Sequence, residues 1–273
     1  MMIFDINAWV GSWPFRSLRD NTPQQLVERL RKAGVSGATV SQIEAILHRN
    51  AQPANERLAE SLEPYGDVLV PVATINPTYA RWEDDLRVCH EVLGMRGVRL
   101  FPEYHGYEID GPLARRVVAA CRERGLPVQI PHRIEDMRQR HHLDPARGVS
   151  LAAIANLVAA YPDTPIIVTN ARGIAQSPLW RRTELRDAAW YADTSLAEVY
   201  FQGLDKDLAS IVEETGSRHL LFGTHVPFSY PESALVKRAT LPVDAGTMEE
   251  ISYRGAMRLG LTPESWTVRA ESV

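Results

Sequence analysis

An α/β chain wound as a single (β/α)8 TIM barrel is the fold class this sequence predicts, on three observations. Short β-branched runs alternate with helical patterns from one end to the other. Glycines stand at the joints between them, Gly34, Gly94, Gly125 and Gly216, where a left-handed helix cap is needed. Two of the runs, Val68-Leu69-Val70-Pro71-Val72 and Ile166-Ile167-Val168, are nearly continuous apolar stretches, as in parallel strands buried on both faces. Eight strand–helix units in about 250 residues suit a closed barrel better than an open doubly wound sheet. No glycine-rich nucleotide fingerprint follows the first run, which also disfavours the open sheet.

The strands are expected, in order, at Ile3 to Asn7, Ala38 to Gln42, Val68 to Ile75, Gly97 to Phe101, Pro127 to Pro131, Pro165 to Thr169, Trp190 to Thr194 and Arg218 to Gly223. Between them lie helical windows with apolar residues three or four apart, including Gln24 to Lys32, Trp82/Leu86/Cys89/Leu93, Leu113/Val117/Cys121 and Leu151/Ile154/Val158. The window Leu179 to Ala188 is the least regular. No linker, low-complexity tract or charge block interrupts the series, so residues 1–273 are read as one domain, with a short extra helix or tail from about Thr262.

Composition narrows the function classes. Thirty Lys and Arg against 34 Asp and Glu leave a net charge of −4, without the positive field that a nucleic-acid backbone requires. Cys89 and Cys121 are the only cysteines and make no disulfide framework. The amino terminus lacks the basic and apolar regions of a signal peptide, and no run reaches the length of a membrane span. A cytoplasmic protein with no membrane partner is expected; the oligomeric state is left open.

In a barrel of this type, chemistry sits at the C-terminal ends of the strands and in the loops behind them. Those positions hold Asn7 and Trp9, Ser41 and Gln42, Asn76, Tyr104-His105-Gly106-Tyr107, His132-Arg133, Asn170-Ala171-Arg172-Gly173, Asp193-Thr194-Ser195 and Thr224-His225-Val226-Pro227-Phe228. The loop behind the fifth strand, His132 to His142, is dense in charge. Glu135 and Arg138 are expected to turn inward there, with His141 or His142 as lid contacts. Arg16, Arg133, Arg138 and Arg172 would gather on one face of an acidic protein and favour an anionic or carboxylated ligand. Tyr104 and His105 offer a hydroxyl and an imidazole to the same ligand. Trp9, Trp13 and Phe15 either floor a pocket for a planar ring or pack the core.

The segments Phe4-Asp5-Ile6-Asn7-Ala8-Trp9-Val10-Gly11, Gly97-Val98-Arg99-Leu100, Pro131-His132, Thr169-Asn170-Ala171-Arg172-Gly173 and Leu221-Phe222-Gly223-Thr224-His225-Val226-Pro227-Phe228 together resemble the amidohydrolase-related family. That family includes aminocarboxymuconate-semialdehyde decarboxylase and pyrone-dicarboxylate lactonase. The resemblance spans essentially the whole chain and implies a barrel supporting hydrolysis or non-oxidative decarboxylation of small carboxylated substrates. It also implies a metal centre built from His-x-His on strand one, histidines after strands five and six, and an aspartate after strand eight. This chain has Asn7 and Trp9, then His132, Asn170 and His225, so one ligand of that pattern survives. A borderline metal ion is poorly served by an asparagine carbonyl and not at all by an indole.

The resulting expectation is a metal-independent enzyme without a cofactor. His225 and His132, with pKa values near neutrality in water, would move protons, Asn7 and Asn170 would orient the reacting group, and the arginines would hold a carboxylate. Two alternatives stand beside it: a non-catalytic barrel binding a small anion or a protein partner, and a metallohydrolase with a divalent ion between His132 and His225.

Overall fold

The computed structural model describes residues 2–195 and 206–266; the expected tail beyond Trp266 lies outside the described residues. Among the described residues there are nine short strands: β1 (Phe4–Val10), β2 (Gly37–Gln42), β3 (Leu69–Pro71), β4 (Ala73–Thr74), β5 (Val98–Arg99), β6 (Val128–Pro131), β7 (Ile166–Thr169), β8 (Trp190–Asp193) and β9 (Leu220–Leu221). All pair in parallel, as β1-β2-β3 and as β4-β5-β6-β7-β8-β9.

Hydrogen bonds join the two sheets into one barrel. On one side Val72 N donates to Val40 O at 2.8 Å and Ala73 N to Gly97 O at 2.9 Å. On the other, Ile6 N donates to Phe222 O at 3.0 Å, His225 N to Asn7 O at 2.9 Å and Trp9 N to Val226 O at 2.9 Å. Every expected strand position is occupied. The third, expected to run unbroken from Val68 to Ile75, is two segments: Pro71 has no N–H to continue the ladder, and the chain passes its pairing from β2 to β5 at that point.

Local sequence explains the helices. Pro23–Ala33 starts at a capping box, Thr22 accepting from Gln25 N while the Gln25 side chain accepts from Thr22 N, with Pro23 in the first turn. It ends at Gly34, whose φ of 76° permits the left-handed cap. The irregular window at Leu179 to Ala188 yields only the four-residue helix Pro178–Arg181 and one further turn. No described helix is long and apolar enough to cross a membrane.

Three apolar groupings position the site. Helix faces bearing Leu26, Leu30, Val117, Val118, Ile154 and Val158 wrap the outside of the strands. Phe4, Ile6, Val70, Ile167, Leu261 and Trp266 fill the N-terminal end of the barrel, where Trp266 lies edge-on to Phe4 at 5.4 Å and donates to Asp67 O at 3.3 Å. At the C-terminal end, Trp9, Trp13, Phe101, Ile134 and Phe228 form a third cluster, so the axial mouth is packed with aromatic rings.

Candidate active site

The structure brings Asn7, Asn170 and His225 together, all with no exposed surface. Asn7 Nδ2 lies 2.9 Å from Asn170 Oδ1, Asp193 Oδ2 and Ser195 Oγ alike. Asn170 Nδ2 donates to Arg133 O at 2.8 Å and its backbone N–H to Asp193 Oδ1 at 3.0 Å. Ser195 Oγ bridges Asn170 Oδ1 at 2.7 Å and Asp193 Oδ2 at 2.5 Å. Asn170 and His225 are two of the four described non-glycine residues with positive φ, at 57° and 64°, so the backbone carries strain where these side chains turn inward.

His225 has no open nitrogen. Nε2 lies 2.7 Å from Ile134 O and must donate, which leaves Nδ1 to accept from Trp9 Nε1 at 3.1 Å and from Asn170 Nδ2 at 3.2 Å. The ring stacks on Phe228 at 4.8 Å and 13°, and burial pushes its pKa down to about 3. As placed, it is a neutral packed group. Trp9 closes the axis above it, its N–H shared with Asn7 Oδ1 at 3.0 Å.

One participant in this core was not anticipated. Arg99, fully buried at the end of β5, lies 4.0 Å over the Trp9 ring and donates to Gln129 and to Ile6 O at 3.1 Å. Burial lowers its pKa to about 9. Asp193, beside the same network, is raised to about 6 by burial against the opposing bonds from Ser195 and Asn7.

Tested against this geometry, the positions that would ligate a metal do not form a ligand set. Both His225 nitrogens are committed, Trp9 and the two asparagines supply no strong donor, and the Asp193 carboxylate is held by amide and hydroxyl groups. Among the described residues no three His, Cys, Asp or Glu side chains are grouped to hold an ion.

His132, at the start of the loop after β6, stands apart from this core and lines a cleft with Phe101, Tyr104, Arg133, Glu135, Arg140, Asp144 and Val149. The cleft spans about 370 Å³ counting its open mouth, and it is so narrow that the centre of a water-sized sphere has only about 20 Å³ to move in. The returning arm of the loop clamps the imidazole: Val149 N donates to His132 O at 2.8 Å, and Nδ1 lies 2.7 Å from Val149 O. Nδ1 therefore carries the proton, and Nε2 presents a lone pair with no hydrogen bond among the described residues. Burial and the Arg133 charge lower the pKa, favouring this neutral form. Gly148, at φ 117°, allows the close return, because a Cβ there would meet His132 O at 3.1 Å.

The remaining expected residues divide. Glu135 does turn inward, buried and paired with Arg16 at 2.8 Å; burial raises its pKa against that pairing. Arg16 also donates to Phe228 O at 2.8 Å, tying together the loops after β1, β6 and β9. Phe15 stacks on His141 at 5.6 Å across the same gap. Arg138, expected to turn inward, instead forks the carboxylate of Asp136 at 3.1 Å on the exposed side, the shorter local reach prevailing. Arg172 is exposed and does not line the cleft. His105 is packed edge-on to Phe101 at 5.9 Å, its buried ring nitrogens beside the backbone of Ala45 and Ile46, and burial lowers its pKa to about 4 against those contacts. Asp144 and Arg140 were not singled out, although the charge density of their loop marked the region.

Comparison with known proteins agrees with this architecture. A family model described as Amidohydrolase matches residues 11–259. No curated protein matches the sequence. Among solved structures, the chain is similar to 2,6-dihydroxybenzoate decarboxylase from Rhizobium, with TM-score 0.70 and 16% identity over 94% of this chain and 98% of the other. It is similar to 5-carboxyvanillate decarboxylase from Sphingomonas paucimobilis, with TM-score 0.72 and 14% identity over 94% and 98%. A probable 2-pyrone-4,6-dicarboxylic acid hydrolase from Acinetobacter baumannii, with citric acid bound, gives TM-score 0.67 and 14% identity over 95% and 100%. At these identities the likeness is one of fold.

Proposed function

The chain belongs to the amidohydrolase family, and we propose that within it this protein is a metal-independent enzyme acting by hydrolysis or decarboxylation on a small carboxylated or lactone-type substrate. One observation carries the reading: His132 alone among the histidines at the family's ligand positions keeps an uncommitted ring nitrogen, and that ring lines a cleft. Its neutral Nε2 is the proton acceptor. Arg133 and Arg140 line the same cleft and bring positive charge to a substrate carboxylate. The sealed core of Asn7, Trp9, Asn170 and His225 holds the walls in place and takes no part in proton transfer. The substrates in the names of the similar structures, dihydroxybenzoate, carboxyvanillate and pyrone-dicarboxylic acid, are all carboxylic acids, which supports the substrate class.

The test is turnover of a panel of aryl carboxylates and pyrone carboxylates. Activity should survive exhaustive chelation and fall at least about 100-fold in His132→Ala, the usual range for a lost general base. Activity lost on chelation and restored by a divalent ion would overturn metal independence. The sealed axis favours a second reading, a barrel that binds a small anion or a protein partner without turnover. Thermal stabilisation by a panel member that is never consumed would select it.

A further inference from the structure

The His132 cleft is shut in this structure. The centre of a water-sized sphere has about 20 Å³ to move in there, room for about one water, so anything larger needs a wall to move. The two walls are held differently. On the barrel side, Phe101 and His132 follow strands β5 and β6, and His132 N donates to Thr169 O of β7 at 2.8 Å. The opposite wall is an arm, residues 136–147, which holds no helix or strand and brings Met137, Arg140, Asp144 and Ala146 to the cleft.

Hydrogen bonds within the arm shape it. Gln139 N and Arg140 N donate to Asp136 O at 2.8 and 2.9 Å, Asp144 N donates to His141 O at 3.0 Å, and the Arg140 guanidinium donates to Ala146 O. Its two large apolar side chains, Met137 and Leu143, are exposed, so their burial does not hold it down. Two contacts near its tip join it to neighbouring loops. The His141 ring stacks on Phe15 at 5.6 Å and 18°, and the buried Asp144 carboxylate pairs with the Tyr104 hydroxyl. Where the arm rejoins the barrel, Gly148 at φ 117° supplies the backbone freedom of a hinge. A segment so built opens at lower cost than the packed elements around it.

We infer that residues 136–147 are a gate over the His132 cleft, latched by the Phe15–His141 stack and the Tyr104–Asp144 pair, and that a ligand reaches His132 only when the latches release. The inference rests on the function proposed above in taking the cleft as the substrate site, and adds control of access to it. The roots of the loop stay fixed during opening, because Ile134 O is held by His225 Nε2 at 2.7 Å and Val149 N by His132 O at 2.8 Å. Lids of this kind open in microseconds to milliseconds.

A thiol behind the gate reads its opening. Val149 lines the cleft and is 5% exposed, and Val149→Cys keeps the backbone bonds to His132. The native Cys89 and Cys121 are buried, which pushes both thiols up to about 12 and leaves them unreactive. The purified Val149→Cys protein is labelled with dithiodipyridine, alone and with His141→Ala or Tyr104→Phe added. Each addition is expected to speed labelling about tenfold, the effect of losing one ring contact or one hydrogen bond to a charged group. Amide exchange should quicken over residues 136–147 and stay unchanged over the helix Leu151–Ala160. Labelling that neither addition quickens overturns the gate, as does quickening matched by faster exchange in that helix. Gated labelling in a protein whose turnover is indifferent to His132→Ala keeps the gate and rejects the proposed function; His132-dependent turnover with labelling indifferent to both additions does the reverse.

Discussion

Replacing His225 by alanine separates a packed group from a catalytic one. The imidazole is fully buried, stacked on Phe228 and bonded at both nitrogens. Removing it leaves Trp9 Nε1 with Asn7 Oδ1 and Asn170 Nδ2 with Arg133 O, so those donors keep partners. Ile134 O loses its 2.7 Å side-chain bond, and a buried acceptor so orphaned costs about 1–3 kcal/mol. Truncating a buried ring adds about 2–3 kcal/mol, somewhat below the range for larger aromatics. The expected loss is about 3–6 kcal/mol, or a Tm lower by roughly 6–24 °C for a chain of this size. Urea unfolding followed by far-ultraviolet circular dichroism measures it from the midpoint at unchanged slope. His132→Ala, at a half-buried ring with one hydrogen bond, should lose only about 1–2 kcal/mol. A His225→Ala protein less than about 1 kcal/mol weaker than wild type, yet inactive, would refute this assignment and restore His225 as a proton carrier.

Arg16→Ala breaks the bonds to Glu135 and Phe228 O and leaves a buried carboxyl whose pKa burial already raises. A raised folded pKa gives stability that is present at low pH and lost as pH rises through it. The variant should therefore weaken by about 1–3 kcal/mol, and by more at pH 8 than at pH 5; equal Tm losses at the two pH values would contradict this. The lowered pKa values of His225, about 3, and His105, about 4, work in the other direction. Their unfolded values are about 6.5, so the unfolded chain takes up the extra protons and stability falls as pH drops from about 6.5 toward 3. Asp193, raised to about 6, opposes this, its contribution present below about 3.8 and lost above 6. His105→Leu should flatten the acid loss, since the extra proton that the unfolded chain takes up at this position disappears. A gap between variant and wild type no larger at pH 5 than at pH 7.5 would count against it.

The barrel was legible because its signals are local: apolar runs, glycine joints and helical spacing each declare themselves within a dozen residues. The positions of His132, Asn170 and His225 followed from the same logic, since each lies beyond a strand end, whereas Asn7 sits in the middle of β1, which runs on to Val10. What those side chains do there was not local. His225 is silenced by Trp9, 216 positions earlier, and by the carbonyl of Ile134, and no sequence pattern records that both nitrogens are taken. Arg138 was misdirected by Asp136 only two residues away, a competition that residue type alone leaves undecided. Asp144 was one acid among many in a charged loop until its neighbours were known.

Trp266 lies seven residues past the last position matched by the family, yet it seals Phe4 and donates to Asp67 O. Family boundaries are therefore a poor guide to expression limits for this polypeptide. A recombinant fragment stopped at residue 259 would uncork the bottom of the cylinder and bare the first strand's phenylalanine to solvent, inviting aggregation, whereas a fragment that keeps Trp266 leaves that stopper in its seat.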